Sequence, residues 1–233
     1  MEKMQYEEQL RLLERGAPGE IQELLIRLGQ QSGNQLQFFN YYKEVPISSN
    51  AELLYVFGDT LAFRSNSTQS KAIKSSCYTI IRSPKFEHDI YARAEFNADT
   101  DEITLSEFSY VEVLPDRRNT LRVKIGGLFR VQVEAGPDQF TAKLKDLSLG
   151  GCALEVPDKA LLKTFTYFYI NFSFTLKNRP DQQLRVLSRL LRFESDGSPC
   201  RCIMLFEHDH RSEDLIGTYI AQRQSEIIRE LKE

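Results

Sequence analysis

The sequence predicts a mainly β protein with two small domains and helices near both ends. Between residues 35 and 113, and again between residues 122 and 206, short runs of β-branched and aromatic residues alternate with polar ones, which is the period of half-buried strands. A last stretch from Ser212 to Leu231 places its apolar side chains at helical spacing. Six or so short strands in the first half favour a small sandwich or barrel there.

The first half is predicted to begin with two short helices, over residues 2–15 and Glu20–Gln30, because apolar side chains recur there every three or four positions. Strands follow, with Pro46 as a turn residue after the first of them. The polar run Arg64–Ser76 is predicted to be a loop or a solvated edge. The predicted strands are Leu36–Tyr42, Ala51–Phe57, Leu61–Phe63, Tyr78–Ile81, Ile90–Phe96 and Ile103–Val113.

The second half is predicted to contain strands and a final helix, for which Ser212 is the predicted N-cap. The sequence Leu114–Asp116 marks the boundary, so that the predicted accessory domain is 1–113, the linker is 114–122 and the second domain is 123–233. The predicted strands of the second domain are Arg122–Ile125, Leu128–Glu134, Gln139–Ser148, Cys152–Val156, Thr166–Leu176, Gln183–Arg192 and Arg201–Phe206.

Composition excludes several classes of function. The formal net charge is −3 and the isoelectric point is near 5.8, which argues against a general nucleic-acid binder. Met1–Arg15 lacks the apolar core of a signal peptide, and the most hydrophobic run, Phe165–Leu176, is too short to span a bilayer. The four cysteines show no metal or disulfide spacing. We therefore expect a cytoplasmic protein without a membrane span, whose cysteines are reduced.

Three arginines cluster after Pro115, at Arg117, Arg118 and Arg122. A guanidinium group binds phosphate oxygens or the guanine edge as a fork and also stacks on purine faces. In a mildly acidic chain, such a cluster suits a small anionic ligand. The spacing RxxxR alone is a weak signal because it recurs at two other places, Arg11/Arg15 and Arg185/Arg189. We expect a solvated helix face at the first pair. At the second pair, which shares one face of a predicted strand, a solvated face is favoured over a contribution to the ligand site.

A second motif, DxSxxG, occurs once, at the end of a predicted strand. Strand alternation puts Asp146 and Ser148 on one face, which we expect to be open, and leucines on the other. Gly150 and Gly151 remove side chains where the backbone bulges or a flat ligand approaches. A carboxylate beside a hydroxyl can accept hydrogen bonds from the N–H groups of a guanine edge. Together with the arginines, this motif predicts a purine-nucleotide phosphate site.

Because it contains both motifs, the second half of the chain resembles a PilZ domain, the bacterial receptor domain for cyclic di-GMP. The family's RxxxR matches Arg118 and Arg122, and its (D/N)xSxxG matches Asp146, Ser148 and Gly151. The order of the motifs and the helix after the last strand match as well. The first half is similar to the extra domains that precede PilZ in flagellar-brake proteins of the YcgR type.

The resemblance implies a six-stranded antiparallel barrel that binds cyclic di-GMP and catalyses no reaction, without a further cofactor or metal. An arginine at the position of Arg117 implies a stacked ligand dimer, hence two ligands per chain. Ligand binding would order the linker and change the arrangement of the domains. An unknown protein partner in motility, adhesion or a related process would recognise the new arrangement. The chain would be a monomer or a weak dimer. The implied ligand-binding residues are Arg117, Arg118, Arg122, Asp146, Ser148, Gly150 and Gly151.

Three other functions are less well supported by the sequence. An enzyme would need a catalytic constellation, and none of the three histidines stands in a nucleophile or metal pattern. A scaffold of PilZ shape without a ligand would be expected to lack the arginine motif. A single-stranded RNA binder would need a basic groove with exposed aromatic residues, whereas the aromatic residues of Phe165–Phe174 alternate as core residues do.

Overall fold

The computed structural model describes residues 10–14, 18–31, 36–113, 120–163, 165–177, 180–194, 197–207 and 209–233. The chain divides into two compact units. The first comprises Met1–Tyr42, Pro46–Asn119 and the last residues, Arg229–Glu233. The second contains Thr120–Ile228 together with the short turn Lys43–Val45. The predicted boundary at Leu114–Asp116 lies outside the described residues, so the predicted domain limits stay a prediction.

The first unit is one antiparallel sheet with two helices. Its pairing path runs β3-β2-β6-β7-β8-β5-β4, and β1 pairs with β8 beside β5. The helices are α1 (Pro18–Gly29) and α2 (Ser67–Ser76). The strands are β1 (Leu10–Glu14), β2 (Gln37–Tyr42), β3 (Val45–Asn50), β4 (Glu52–Phe57), β5 (Thr60–Arg64), β6 (Tyr78–Arg82), β7 (Asp89–Asn97) and β8 (Glu102–Val113).

The core of this unit forms where the apolar stripe of α1 meets the alternating side chains of the sheet. Ile21 and Leu25 of α1 are fully buried, and they belong to one cluster with Phe38 of β2 and Phe63 of β5. The two phenylalanine rings meet edge to face with centroids 5.2 Å apart, a favoured aromatic arrangement. The predicted helix over Glu20–Gln30 is thereby confirmed at nearly its full length.

The predicted helix over residues 2–15 is wrong for residues 10–14, and the rest of it lies outside the described residues. Leu10–Glu14 is a strand that pairs antiparallel with β8, with Leu10 opposite Val113. Leu10 packs against the cluster that contains Phe39 and Tyr78. Sheet pairing has overridden the helical spacing of the leucines, because spacing of apolar residues is only a weak preference in so short a segment.

The predicted loop at Arg64–Ser76 is also wrong, because Ser67–Ser76 is α2. The side chain of Asn66 accepts a hydrogen bond from Gln69 N at 2.8 Å and caps its first turn. Two of the four buried side chains of α2 are polar. Gln69 Nε2 donates to Asn40 Oδ1 at 2.7 Å inside the unit. A helix that packs through polar contacts shows no apolar stripe, so the sequence did not reveal it.

The predicted turn at Pro46 is wrong, because Pro46 lies within the strand β3. In the structure β3 is the first strand of the pairing path, at the edge of the sheet. A proline is tolerated there because the edge needs one backbone donor fewer than the interior of a sheet.

The second unit is an antiparallel barrel followed by a long helix. Six strands close in the order β10-β13-β14-β15-β12-β11, with β11 pairing back to β10, and β9 adds to the far end of β11. This confirms the predicted mainly β fold with a six-stranded barrel and a C-terminal helix. The elements are β9 (Arg122–Lys124), β10 (Arg130–Ala135), β11 (Asp138–Ser148), β12 (Gly151–Val156), β13 (Tyr167–Phe174), β14 (Gln182–Phe193), β15 (Cys200–Glu207) and α3 (His210–Lys232).

The barrel is filled by the alternate side chains of its strands. On β13, Phe168, Ile170, Phe172 and Phe174 are all buried, whereas the residues between them are more exposed, which confirms the predicted core role of this segment. The helix α3 packs on the barrel through Tyr219, whose ring stacks on Phe174 with centroids 4.5 Å apart. In the part of the chain that the structure describes, no helix is long and apolar enough to cross a membrane.

The predicted N-cap of the last helix is wrong by one turn. The helix begins at His210, and Asp209 caps it by accepting a hydrogen bond from Ser212 N at 2.7 Å. Ser212 Oγ in turn accepts from Asp209 N at 3.0 Å. These contacts lower the pKa of the Asp209 carboxyl below its ordinary value, chiefly through the backbone of Ser212. Ser212 therefore belongs to the same reciprocal cap as Asp209, three residues further into the helix.

Candidate functional site

The acid of the DxSxxG motif is placed by a bulge in β11. Pairing with β12 shifts by one residue between Leu144 and Asp146, so Lys145 is the extra residue. Leu144 and Leu147 are both fully buried in the barrel core although they are three positions apart. Asp146, next to Leu147, therefore lies on the outer face of the barrel wall, in agreement with the predicted separation of the acid from the leucines.

The arginine motif reaches this acid through the short strand β9. Arg122 lies opposite Ser148, and Lys124 lies opposite Asp146, in the antiparallel register of β9 and β11. Paired residues of neighbouring strands project to the same face. Nε of Arg122 lies 3.5 Å from Oδ1 of Asp146. Residues 24 positions apart in the sequence thus form one ion pair on the outer face.

The end of the motif is a tight turn between β11 and β12. Ser148 Oγ donates a hydrogen bond to the carbonyl of Gly151 at 3.1 Å, and the two residues face each other across the turn. A Cβ atom at Gly151 would lie 2.1 Å from the carbonyl oxygen of Met204 on β15, so a side chain cannot be added without a shift of the backbone. Among the residues that the structure describes, a Cβ at Gly150 would meet only Thr120 Oγ1, at 3.8 Å.

A further arginine, which the sequence analysis missed, completes the group. Nη2 of Arg201 on β15 donates a hydrogen bond to Oδ2 of Asp146 at 2.9 Å. Its Nε lies 2.9 Å from Oε2 of Glu194, which follows β14. Arg201 and Asp146 are 55 positions apart and no local motif joins them. Only the barrel, which places β12 between β11 and β15, brings them together.

The expectation that the acid lies on an open face is wrong for this structure. The side chain of Asp146 is only 7% exposed, because Arg122 and Arg201 cover it from two sides. Burial raises the pKa of its carboxyl above the ordinary value, and the two arginines offset this only in part. A carboxylate that is buried between two cations remains a strong acceptor for further N–H donors.

Of the seven predicted site residues, the structure brings together five. Arg122, Asp146, Ser148, Gly150 and Gly151 lie within one patch of β9, β11 and the turn to β12, which we call the motif patch. Arg117 and Arg118 lie outside the described residues, so their part in the site stays a prediction. Chemically, the patch offers a carboxylate acceptor and a guanidinium donor side by side, as a guanine nucleotide requires.

The second RxxxR pair of the barrel is engaged elsewhere. Arg185 and Arg189 lie on β14, as predicted. Arg185 pairs with Glu134 at 2.6 Å and lies over the ring of Tyr169, 3.4 Å from its centroid. Arg189 lies 3.6 Å from Glu207. Both arginines are about half exposed and have acidic partners, so they form part of a solvated surface.

The cysteines and histidines give no sign of metal chemistry in the described part of the chain. All four cysteines are free thiols, and three of them are buried. Cys200 and Cys202 share the core face of β15. Burial raises the pKa of the Cys202 thiol to about 12, which leaves it unreactive at neutral pH. Among the described residues, no group of three or more possible ligands is close enough to hold a metal ion.

A surface cavity of about 350 Å³ lies beside the motif turn. Leu149 of the motif forms one wall, and the first turns of α3 form the other. The helix contributes the carboxylates of Glu213 and Asp214, which repel a phosphate. The motif patch, which carries the arginine, is the better place for an anionic ligand.

The segment that contains the barrel matches a known protein family. Residues 116–222 match the family model of the PilZ domain, and no curated protein matches the chain. Similar solved structures include the inhibitor of motility MotI/DgrA of Bacillus subtilis, at 13% identity and TM-score 0.40, which covers 82% of this chain and 96% of that one. YcgR of Escherichia coli, in complex with c-di-GMP, is 14% identical with TM-score 0.40 and covers 97% of each chain.

The complex of MrkH from K. pneumonia with c-di-GMP is 12% identical with TM-score 0.37, covering 92% of this chain and 94% of that one. The family match falls on the segment that contains the barrel, the arginine motif and DxSxxG. Residues 116–222 of this chain are a PilZ domain.

Proposed function

We propose that this protein is a receptor for cyclic di-GMP that binds the ligand at the motif patch and performs no chemistry on it. The observation that carries the proposal is the pairing of Arg122 with Asp146 at 3.5 Å, since it joins the two ligand motifs of the PilZ family in one place. The relatives crystallised with c-di-GMP agree with this assignment.

The chemistry of the patch fits both parts of such a ligand. Arg122 would bind a phosphate or the O6 and N7 edge of guanine, because its planar fork matches either group. Asp146 would accept hydrogen bonds from the ring N–H and the exocyclic amine of guanine, which adenine does not offer in that arrangement. Ser148 and Gly150 would let the base approach the turn closely.

The remaining arginines of the motif would complete the site. We assign Arg118 to the ligand phosphates together with Arg122, and we assign Arg117 to a second, stacked ligand. An added guanidinium group can cover a further purine face and offset the second pair of phosphate charges. The proposal is therefore two cyclic di-GMP molecules per chain.

Isothermal titration of the purified protein tests this proposal directly. We expect cyclic di-GMP to bind with a stoichiometry of two and to be recovered unchanged by chromatography, whereas cyclic di-AMP binds much more weakly. Arg117→Leu should reduce the stoichiometry toward one. No heat at micromolar protein would favour a ligand-independent scaffold of PilZ shape, and hydrolysed product would indicate an enzyme. Saturation of the wild type at one equivalent would remove only the second ligand.

We further propose that the ligand changes the arrangement of the two domains through segment 114–122. This segment joins the domains and carries the arginines, so a ligand that orders it restricts the domains as well. Ordering costs about 1–2 kcal/mol per residue, which forked contacts to two phosphates per ligand can offset. Hydrogen exchange should slow at 114–122 on binding, and small-angle scattering should report a changed radius of gyration. An unaltered scattering profile would contradict the rearrangement and leave binding intact.

The proposed setting is a cytoplasmic signalling pathway that controls motility, adhesion or a related process. The new domain arrangement would be recognised by a downstream protein. A pull-down from cell extract with and without cyclic di-GMP, followed by mass spectrometry, tests this step. A partner that appears only with the ligand would support it, and identical captures would contradict it.

A further inference from the structure

The two arginines that cover Asp146 are held in different ways. Arg201 donates an aligned hydrogen bond from Nη2 to Oδ2 at 2.9 Å, and its Nε lies 2.9 Å from Glu194 Oε2 as an ion pair. Arg122 approaches Oδ1 only to 3.5 Å, and within the described residues neither arginine makes an aligned hydrogen bond through its Nε. Arg122 can therefore turn toward a ligand without breaking an aligned bond to Asp146, whereas Arg201 would have to break one, together with its ion pair to Glu194.

We propose that Arg201 is a positioning residue of the ligand site, which holds Asp146 by Oδ2 so that Oδ1 stays charged and available to the guanine edge. This inference rests on the proposed binding of cyclic di-GMP. Arg122 is the arginine that leaves Asp146 for the ligand, and Arg201 is the one that stays. These two different roles account for the presence of two arginines, on different strands, beside one carboxylate.

The surroundings of Arg201 support a fixed position. Glu194, its second partner, is held from the other side by Arg192, whose Nη2 donates to Oε1 at 3.0 Å. Ala153 of β12 is the residue that pairs with Asp146 on one side and with Ile203 of β15 on the other. Its short side chain leaves room for the Arg201 side chain to cross β12. A chain of alternating charges thus runs from β14 through β15 to the motif patch.

The charges around Asp146 determine what the loss of Arg201 would do. Arg122 and Lys124 face the acid from β9, Arg201 faces it from β15, and Glu194 and Glu44 are the nearby acids. Burial already raises the pKa of Asp146, and Arg201 is one of the two groups that oppose this rise. Without Arg201, Asp146 would keep its proton to higher pH and would lose its strength as an acceptor.

The test is cyclic di-GMP titration of wild type and Arg201→Met as a function of pH, with the full chain. Methionine keeps an apolar stem and removes the guanidinium. We expect affinity at pH 7 to fall by about tenfold to a hundredfold, the effect of one charge-assisted contact. We also expect affinity of the variant to recover in part as the pH rises, and the preference over cyclic di-AMP to shrink. A purely structural role of Arg201 would not make the loss depend on pH.

Two further variants serve as controls. Arg192→Met removes the outer partner of Glu194 but touches neither Asp146 nor the ligand, and we expect its affinity to stay within about twofold of wild type. Arg201→Lys keeps the charge but loses the fork, so we expect an intermediate affinity with a pH profile close to wild type. If Arg201→Met does not fold, as its melting curve would show, the comparison of Arg201→Lys with Glu194→Gln replaces it. Glu194→Gln frees Arg201 from its anchor and should weaken binding.

The outcomes separate this inference from the proposed function. Wild type that does not bind cyclic di-GMP would overturn both. Wild type that binds, with Arg201→Met (or the replacement pair) matching its affinity, its pH profile and its guanine preference, would overturn the positioning role alone.

Discussion

Two arginine–carboxylate groups on the barrel differ in how completely they are satisfied. Around Glu134, the side chains of Arg185 and Asn171 donate hydrogen bonds at 2.6 and 2.7 Å, and the carboxylate is accessible to water. Around Asp146, one arginine is bonded at 2.9 Å and the other remains 3.5 Å away in a buried setting. Both groups contain an arginine of an RxxxR sequence.

The pKa shifts of the two acids have opposite directions. The hydrogen bond from Arg185, followed by that from Asn171, lowers the pKa of Glu134. Burial raises the pKa of Asp146 despite its two arginines. A buried charge is costly unless its partners satisfy it fully, and such shifts concentrate at functional sites. This difference supports the proposal that the ligand binds at the Asp146 group rather than at the Glu134 group.

The largest expected effect is a loss of ligand affinity on mutation of the arginine beside Asp146, with no loss on mutation of the arginine beside Glu134. Arg122→Ala should lose about 1.5–3 kcal/mol of binding free energy for cyclic di-GMP, because it removes a charge-assisted contact in a buried site. Arg185→Ala, the matched control in the other RxxxR, should leave binding unchanged. Isothermal titration measures both.

The melting temperature of ligand-free Arg122→Ala should stay close to that of wild type, since its contact with Asp146 is long. Equal losses of affinity in the two variants would contradict the distinction between the groups. They would mean that the ligand covers the β14 surface as well.

A smaller effect is expected on stability, where the two glycines of the motif patch should differ. Gly151→Ala should destabilise the protein by about 1–3 kcal/mol, because a Cβ would meet the Met204 carbonyl oxygen at 2.1 Å. A Cβ at Gly150 would make only an ordinary van der Waals contact within the described residues, so the stability of Gly150→Ala should change by less than about 0.5 kcal/mol. Thermal unfolding measures both changes.

If the ligand approaches the turn closely, Gly150→Ala should still weaken cyclic di-GMP binding. Unaltered affinity in that variant would assign both glycines to the fold and remove Gly150 from the ligand site. A stable Gly151→Ala would show that β12 and β15 can separate locally.

The smallest effect is the pH dependence of stability, which should differ in sign between the two acids. Since the folded-state pKa of Glu134 is lowered, its contribution is present above its unfolded pKa and is lost as the pH falls through the folded value. Since that of Asp146 is raised, its contribution is present below its unfolded pKa and is lost as the pH rises through the folded value.

Melting temperatures of wild type, Glu134→Gln and Asp146→Asn, followed over about pH 3 to 7, test this prediction. Glu134→Gln should remove part of the acid loss of stability. Asp146→Asn, which carries no titrating proton, should remove part of the loss that accompanies rising pH. Differences from wild type with the same sign in both variants would contradict the opposite shifts.

The sequence was sufficient to predict those parts of the fold that depend on side-chain period. The strands of the barrel and the helix α1 follow from alternation and from an apolar stripe, which are local properties. It failed at Leu10–Glu14, where pairing with β8 decides the conformation, and at α2, whose buried face is partly polar. In both places the decisive contact is with a residue distant in the sequence.

The candidate site likewise contains residues that local motifs predict and residues that only the folded barrel brings together. The motifs indicated Arg122, Asp146 and Ser148, because their spacing is local and the barrel register joins them. Arg201 and Glu194 carried no such spacing, and an arginine on a strand reads as a solvated residue. The charge alternation that links them exists only across neighbouring strands. An open acid was expected for the same reason, since the sequence gives no sign of the arginine that covers it.

The extra residue of β11 affects the pairing register of the strand and, through it, the direction in which Asp146 points. Before Lys145, even-numbered residues such as Ala142 and Leu144 face the core, and after it the odd-numbered Leu147 does. The bulge therefore changes which alternate residues of β11 face the core. If β11 paired regularly and kept Lys145 without the bulge, Lys145 would face outward and Asp146 would turn inward with Leu144, although every charged group of the motif patch would still be encoded. The site is therefore specified by the pairing register of β11 as much as by residue identity.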